Sequence, residues 1–298
     1  MSNETERLLK EFQEYVKDKE FKGEEDAKKE VAEFLKNFNL KQKSDNKTSP
    51  MSADDYLDLA YEAETPEDCI KFAKKALKID KNCIDAKLLI IQNEETAETA
   101  KKQLEDLIKG ETKRLEKEGY FDKENIGLFY GILETRPYMR IRASYIDLLI
   151  EMSKYTKAVL ECEDLIRLSE NDNMGIRDKL MTLYAMLENL DGAKALLKKY
   201  KEDSFSMLYP MAILYYRLDD YSNARACLKK IVNKNKDYSD YVTDKLSIND
   251  EDIRNILDKG MYRPDSIEEV LYTFKNNAVM LEAMDVFNEW AAEECSKI

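Results

Sequence analysis

The sequence predicts an all-α protein built from consecutive helical hairpins, and three observations support this fold class. Short polar turns recur ahead of Ala158, Ala193 and Ala224, which are spaced 35 and 31 residues apart. Apolar residues follow each alanine at four- and seven-residue intervals, as on one face of a helix. The 298 residues include only 8 Gly and 5 Pro, which favours many helices with short connections over a sandwich or barrel.

The spacing of the alanines has a physical cause in helix packing. A single helical hairpin cannot bury both faces of its own helices, so it needs a neighbour. A small alanine lets the second helix approach the first closely. The period of 31 to 35 residues is that of tetratricopeptide (TPR) repeats, and we therefore predict a right-handed TPR-like α-solenoid of about five hairpins. The usual tryptophan of the first helix and proline after the second are missing, so the repeats are divergent.

Two segments precede the predicted repeats. Residues 1–38 carry two amphipathic stretches separated by Lys22-Gly23, which predicts an N-terminal helical hairpin. Residues 39–50 are polar and end in Ser-Pro, which predicts a linker.

The repeat array is predicted to span residues 51–245. Ser52 precedes an apolar helical stretch and is a predicted N-cap, and Thr65-Pro66-Glu67 is predicted to start the partner helix with Pro66 in its first turn. The spacing of alanine-type positions breaks down at residues 109–136, so the array is predicted to be interrupted there. Residues 246–298 depart from the period and are predicted to form a helical C-terminal cap, because terminal repeats commonly deviate.

The charge and hydropathy of the chain restrict the class of partner. The net charge is −13 and 37% of the residues are charged, which weighs against nucleic acid or an anionic membrane as the partner. The longest apolar run, residues 207–216, is too short to span a membrane. The chain is charged from Glu4 onward, so we expect no secretory signal.

Residue types that carry chemistry are scarce. There is no histidine, and none of the five cysteines forms a C-x-x-C pair, which predicts reduced thiols in a cytoplasmic protein. A Gly-rich phosphate loop, a G-x-S-x-G turn and metal-ligand spacing are all missing from the sequence. We therefore expect no metal, no cofactor and no enzymatic activity.

Two arginine-containing motifs stand out. The first is ETRPYMRIR, residues 134–142, and the second is NDNMGIR, residues 171–177. Arg142 and Arg177 occupy the same position of successive first helices, 35 residues apart. That position normally faces the neighbouring repeat, so an arginine there would be partly buried and must be paired.

These motifs resemble those of a TPR-like family related to the suppression-of-tumorigenicity proteins, which has many bacterial members. The resemblance rests on ETRPYMRIR followed by ENDNMGIR and extends over roughly residues 51–290. It implies a TPR-like α-solenoid with a role in protein interaction. It supplies no catalytic residues and no metal ligands.

Two interpretations of the arginines stay open at the level of sequence. In the favoured one, Arg142 and Arg177 brace successive repeats by pairing with carboxylates such as Glu134, Glu170 or Asp178. In the other, they bind a carboxylate or phosphate group of a peptide ligand. The two interpretations differ in whether substitution lowers stability or affinity.

The first-helix positions that line a TPR groove predict a partner-binding concave face. The predicted partner-binding residues are Arg140, Arg142, Arg177, Asp147, Asp178, Thr182, Tyr209, Ile213 and Tyr216. We expect Arg140 and the tyrosines Tyr209 and Tyr216 to be the most exposed to the ligand.

The sequence favours a non-enzymatic scaffold that binds a peptide or protein on this concave face. The alternative is a peptide-responsive regulator in which the N-terminal hairpin is the effector, and an enzyme is the least favoured class. A packed N-terminal hairpin would count against the regulator, and a free one would support it.

Overall fold

The computed structural model describes residues 3–44, 50–281 and 285–298. Within these residues the protein contains sixteen α-helices, α1–α16, and two short 3-10 turns, with no β-strand. The prediction of an all-α protein is therefore confirmed. No described helix combines the length and the apolar character that crossing a membrane requires.

The chain divides into two compact units, residues 1–141 and 142–298. The boundary falls inside helix α7 (Arg136–Glu151). It does not coincide with the predicted segment boundaries at residues 38, 50 and 245, and those segments stay predictions.

The first unit contains six complete helices, the two 3-10 turns and the start of α7. Its elements are α1 (Asn3–Val16), α2 (Glu24–Ser44), α3 (Ala53–Tyr61), α4 (Pro66–Ile79), α5 (Ile84–Gln92), α6 (Ala97–Lys117) and the 3-10 turns Phe129–Gly131 and Leu133–Thr135. Residues 39–44, predicted as the start of a linker, continue α2, because no Gly or Pro interrupts this stretch before Pro50. Residues 45–49 of the predicted linker lie outside the described residues.

The helix starts of the first unit follow the predicted caps. Ser52 accepts a hydrogen bond from the Asp55 N–H at 3.1 Å, and the Asp55 side chain accepts the Ser52 N–H at 2.7 Å, which is a capping box. Thr65 caps α4 in the same manner by accepting the Asp68 N–H at 3.2 Å. Ala73 is fully buried where α4 packs against α3 and α5.

The predicted interruption of the array is a packed segment. Helix α6 continues to Lys117, and Gly119 then adopts a left-handed conformation with φ of 81°. The ring of Phe129 is fully buried and lies 5.0 Å from that of Phe121 and 6.3 Å from that of Tyr138. The segment between α6 and α7 is thus anchored on the start of α7 by aromatic packing.

The second unit consists of the rest of α7 and nine further helices. These are α8 (Tyr155–Leu168), α9 (Ile176–Met186), α10 (Leu190–Tyr200), α11 (Phe205–Arg217), α12 (Tyr221–Lys234), α13 (Lys236–Val242), α14 (Asp250–Asp258), α15 (Ile267–Leu281) and α16 (Asp285–Cys295). Helix α9 packs against α8, α10 and α11, and α11 packs against α12. The period alanines Ala158, Ala193 and Ala224 are all fully buried.

One turn geometry recurs ahead of each period alanine. The residue five positions earlier is left-handed in all three: Ser153, Glu188 and Asp219, with φ of 55°, 57° and 58°. The N–H of the next residue donates to the carbonyl five positions back, that of Leu149, Tyr184 and Tyr215, at 2.8, 2.9 and 2.9 Å. This is the Schellman pattern of a helix C-terminus. The sequence period therefore corresponds to a repeated backbone structure.

The C-terminal helices are an integral part of the second unit. Helix α15 packs against α9, α11 and α13, while α16 packs against α12 and α13. Val270 and Ala291 are fully buried and Phe287 is nearly so. These two helices cover one side of α11.

Candidate partner-binding site

The nine predicted partner-binding residues do not form one described surface. Arg140 lies in the first unit, and the other eight residues lie in the second. Each unit therefore has its own candidate site, and the eight residues of the second unit differ widely in exposure.

Three of the predicted contact residues belong to the core. Thr182, Tyr209 and Ile213 are each 1% exposed, so the prediction that Tyr209 is exposed to a ligand is wrong. The Thr182 hydroxyl donates to the carbonyl of Asp178 at 3.2 Å, within its own helix. The physical reason for the burial is the packing of α15 and α16 on this side of the helices.

Tyr209 lies at the centre of an aromatic cluster. Its ring is stacked 5.0 Å from Phe205 and lies 5.3 Å from Phe274 and 5.6 Å from Phe287. Its hydroxyl donates to the side-chain carbonyl of Asn288, and burial raises the pKa of Tyr209. The groove position predicted for a partner is thus filled by the protein's own C-terminal helices.

Tyr216 is half-buried at the edge of the same cluster. Its ring lies 5.4 Å from Phe287 and 5.0 Å from Trp290, the only tryptophan of the chain. Arg225 of α12 pairs with Glu294 of α16 at 2.7 Å on this side. Phe287 and Trp290 of α16 thus cover one side of Tyr216, and its role in partner binding stays a prediction.

Arg142 braces its own hairpin. It is 5% exposed and pairs with Glu161 at 2.6 Å and with Asp164 at 3.0 Å, both on α8. Burial raises the pKa of Asp164, but Arg167 and Arg142 together lower it below its ordinary value. The arginine is buried and paired, as predicted. Glu161 and Asp164 lie on α8 of its own hairpin, whereas bracing between successive repeats was expected.

Arg177 holds the start of α9. Its guanidinium pairs with Glu202 at 2.7 Å and with Asp172 at 3.1 Å, and it lies 5.2 Å from the ring centre of Tyr200. The Asp172 carboxylate also accepts the N–H groups of Ile176 and Arg177, each at 2.8 Å. Asp172 therefore has two roles: it accepts N–H groups at the start of α9, and it fixes the Arg177 guanidinium.

Asp178 and Asp147 take part in contacts between successive first helices. The Ser206 hydroxyl of α11 donates to Asp178 of α9 at 3.1 Å. Burial raises the pKa of Asp178 to about 6, although the Arg177 charge lowers it. Asp147 of α7 pairs with Lys179 of α9 while keeping 49% of its side chain exposed. Asp147 is thus a predicted contact residue of the second unit whose side chain stays accessible to a partner.

Arg140 is the predicted residue of the first unit, and two carboxylates already bind it. Its guanidinium makes a two-point contact with Asp85 of α5 at 2.7 and 2.8 Å, and a third contact with Glu6 of α1 at 2.7 Å. Burial lowers the pKa of Arg140, but Asp85 and Glu6 more than offset this, so the pKa is raised overall. The site predicted for an external anion holds a glutamate of the same chain.

Helix α1 therefore contacts the rest of the first unit through charged groups. Glu6 is 6% exposed and also lies 3.6 Å from Arg136. The neighbouring Arg7 pairs with Asp55 of α3 at 2.8 Å. We call Asp55, Asp85, Arg136 and Arg140 together the α3–α5–α7 face. The N-terminal helical segment is packed on it, which by the criterion stated above counts against the regulator alternative.

Sequence reasoning missed Glu6, Asp85 and the covering role of α15 and α16. Glu6 and Arg140 are 134 residues apart, and no local spacing rule relates positions so distant. The available local signal was the run of charged residues Glu4, Glu6 and Arg7 at the start of α1.

Metal chemistry has no candidate site in the part of the chain that the structure describes, because no cluster of three or more Cys, Asp or Glu side chains there could hold an ion. The five cysteines are free thiols, four of them buried. No protein-family model matches the sequence, and no curated protein matches it significantly.

Proposed function

We propose that the protein is a non-enzymatic scaffold that binds a peptide or protein partner on a right-handed TPR-like array. The observation that carries the proposal is the repeated turn before Ala158, Ala193 and Ala224, with its left-handed residue and buried alanine. A solenoid needs such a unit, because each hairpin must present the same packing surface to the next one. The first helices of such arrays are the usual surface for partner binding.

The proposal includes membership of the TPR-like family related to the suppression-of-tumorigenicity proteins. Its support is the role of the two motifs in the structure. Arg136, Arg140 and Arg142 of ETRPYMRIR each pair with a carboxylate, and Arg177 of NDNMGIR anchors the start of α9. Motifs that hold hairpins together would be retained in a scaffold whatever its partner.

The proposed partner site lies on the first helices and does not include Tyr209 and Tyr216. In the first unit the α3–α5–α7 face carries Arg140 and Asp85, and in the second unit Asp147 and Lys179 lie on α7 and α9. Both sites are charged, and the net charge of −13 disfavours nucleic acid and anionic membranes as partners. A protein or peptide is therefore the proposed partner.

The perturbed carboxylates support a structural role over a catalytic one. Burial raises the pKa of Asp178 and of Glu269, and raised pKa values can mark general acids or bases. Asp178, however, accepts a hydroxyl from Ser206, and Glu269 accepts backbone N–H groups. Each carboxylate already has a structural partner. As part of the same proposal we place the protein in the cytoplasm, which its free thiols support.

Affinity capture with matched variants tests the proposal. The baits are the wild-type chain, Asp147→Lys, Arg140→Glu and the control Asp191→Lys, and each is used to recover proteins from native cytosol. Asp191 is a suitable control because it is exposed at the start of α10. We expect at least one protein to be recovered by the wild type and the control and to be lost with Asp147→Lys or Arg140→Glu. Recovery of no protein, or of the same proteins with every variant, would contradict the scaffold function.

A further inference from the structure

The α3–α5–α7 face contains a carboxylate receptor whose two arginines are fixed independently of the carboxylate they bind. Arg136 donates from Nε to the carbonyl of Tyr130 at 2.8 Å, and its guanidinium lies 5.0 Å from the Tyr130 ring centre. Arg140 is held by the two-point contact with Asp85. Both guanidinium groups then converge on the single carboxylate of Glu6. A receptor arranged in advance loses little conformational entropy when it binds.

The same face contains a complementary acidic position one residue further along the bound helix. Asp55 is fixed by its capping-box contacts with Ser52 and pairs with Arg7. The face therefore recognises a glutamate followed by an arginine on one edge of a helix. Adjacent opposite charges in a fixed order give the site a direction as well as an affinity.

We infer that the α3–α5–α7 face is a binding site for an amphipathic helix of a second protein that carries a Glu-Arg pair on its polar edge, and that α1 occupies the site when this partner is absent. The inference rests on the proposed scaffold function and names the partner class for one of its two sites.

The way α1 is held explains how a partner exchanges with it. Its aromatic residues Phe12 and Tyr15 pack on α2, at 5.1 and 5.3 Å from Phe34. Among the residues of α1 whose burial is described, Glu6 alone is buried, and the apolar side chains are half-buried. The contacts of α1 with Asp55, Arg136 and Arg140 are ionic, and a second helix with the same charged edge replaces each of them with an equivalent one.

The C-terminal helix α16 makes the opposite kind of contact. Phe287 and Ala291 are almost fully buried, and Phe287 packs on Tyr209 and Tyr216. Displacing α16 would expose this aromatic core to water, which has a large free-energy cost. For this reason we assign the exchangeable site to the face under α1 and not to the groove under α16.

A labelled peptide with the sequence of residues 3–20 and blocked termini tests the inference by fluorescence anisotropy with the full-length protein. In the wild-type protein, α1 occupies the face and competes with the labelled peptide. In the Glu6→Lys protein the new lysine repels Arg136 and Arg140, so α1 leaves the face and the peptide can bind. We expect the peptide to bind the Glu6→Lys protein at least about tenfold more tightly than the wild type. Binding should weaken steeply when NaCl is raised from about 50 to about 500 mM.

Matched peptides and a second variant keep the test decisive. A peptide carrying Glu6→Lys should not bind, while one carrying Glu14→Lys should bind as the native sequence does, because 76% of the Glu14 side chain is exposed. Glu6→Gln removes the negative charge of Glu6 without adding a positive one, so it should release α1 less completely. Its affinity for the peptide is measured in parallel, and circular dichroism establishes that both full-length variants are folded.

Three outcomes would overturn the inference: equal affinity for the wild-type and released proteins, equal binding of the Glu6→Lys peptide, or no saturable binding to either folded variant. A wild-type dimer that Glu6→Lys abolishes in sedimentation velocity would assign the site to α1 of a second copy and would also overturn it. The proposed scaffold function would survive each of these results, because affinity capture through Asp147 measures the other site.

Discussion

The Glu269 carboxylate accepts a hydrogen bond of 2.9 Å from the backbone N–H of Phe205, 64 residues earlier in the chain. Ser204 occupies the N-cap position of α11, but its side chain makes no capping hydrogen bond. Glu269 of α15 therefore supplies the negative group that the helix start requires. Its other oxygen accepts the Asp265 N–H at 2.8 Å. The start of α11 is completed only when the C-terminal segment is folded against it.

The contact is matched by others at the start of α15. The Ile267 N–H donates to Asp237 of α13 at 3.0 Å, and the Asn235 side chain donates to the carbonyl of Ser266 at 2.9 Å. Asp237 of α13 and its N-cap residue Asn235 thus order the start of α15. Glu269 of α15 in turn orders the start of α11. These linked contacts explain why α15 covers Tyr209 and why the predicted groove at this position is closed.

Replacing Glu269 with Ala should destabilise the second unit. The variant leaves the buried N–H group of Phe205 without its acceptor and removes the acceptor of the Asp265 N–H, so we expect the free energy of unfolding to fall by about 1–3 kcal/mol. Urea denaturation followed by Trp290 fluorescence measures the loss, since Trp290 lies on α16. Glu289→Ala, an exposed position on α16, is the control and should change stability by less than about 0.5 kcal/mol. An equal loss in both variants would reject the capping role.

Arg142→Ala should lower stability without affecting partner affinity. The change leaves Glu161 and Asp164 without the guanidinium that lies between them, and since both carboxylates are partly exposed we expect a cost of about 1–3 kcal/mol. Arg167→Ala removes only an exposed contact with Asp164 and should cost less than about 1 kcal/mol. Thermal denaturation and affinity capture separate the two roles: unchanged stability with lost capture would assign Arg142 to binding.

Asp178 should make stability depend on pH in the neutral range. Burial raises its pKa from the ordinary value of 3.8 to about 6, so the folded state binds the proton more tightly than the unfolded state. The carboxylate is therefore destabilising above its folded pKa, and this penalty disappears as the pH falls towards its unfolded value. Asp172 and Glu269, whose pKa values burial also raises, act in the same direction.

The prediction is that wild type gains stability between about pH 7 and about pH 5, and that Asp178→Asn gains less over the same range. The chemical denaturation midpoint at each pH measures both. Asp191→Asn, at an exposed position, should retain the wild-type profile. Parallel profiles for wild type and Asp178→Asn would show that Asp178 titrates normally in the folded protein.

The cysteines should be protected from a thiol reagent in the folded protein. Cys69, Cys162, Cys227 and Cys295 are buried, and burial raises the pKa of Cys227 and of Cys295 to about 11. Only Cys83 is partly accessible, so we expect rapid reaction of no more than one thiol per chain with Ellman's reagent at neutral pH. All five should react in denaturant. Rapid modification of several thiols in the folded state would contradict the packing described above.

The local features of the fold were accessible from sequence. The spacing of Ala158, Ala193 and Ala224 identified the repeated hairpins, because helix crossing and turn geometry depend on residues a few positions apart. The caps at Ser52 and Thr65 were accessible for the same reason.

The candidate sites could not be predicted in the same way. Tyr209 occupies a groove position by spacing, but it is buried by residues more than 60 positions away. Arg140 was predicted to contact a partner, but its guanidinium is bound by Asp85 and by Glu6, which lies 134 residues earlier in the chain. Contacts over such distances depend on where whole helices pack, which the apolar periodicity of each helix does not specify.

The most direct test of the central claim is hydrogen exchange of the wild-type protein, measured by mass spectrometry with Glu6→Gln alongside. If α1 is an exchangeable occupant of the α3–α5–α7 face, its amides should exchange at least about 100-fold faster than those of α16, and Glu6→Gln should accelerate α1 further while leaving α16 unchanged. Protection of α1 equal to that of α16, or exchange of α1 that does not respond to Glu6→Gln, would contradict the claim.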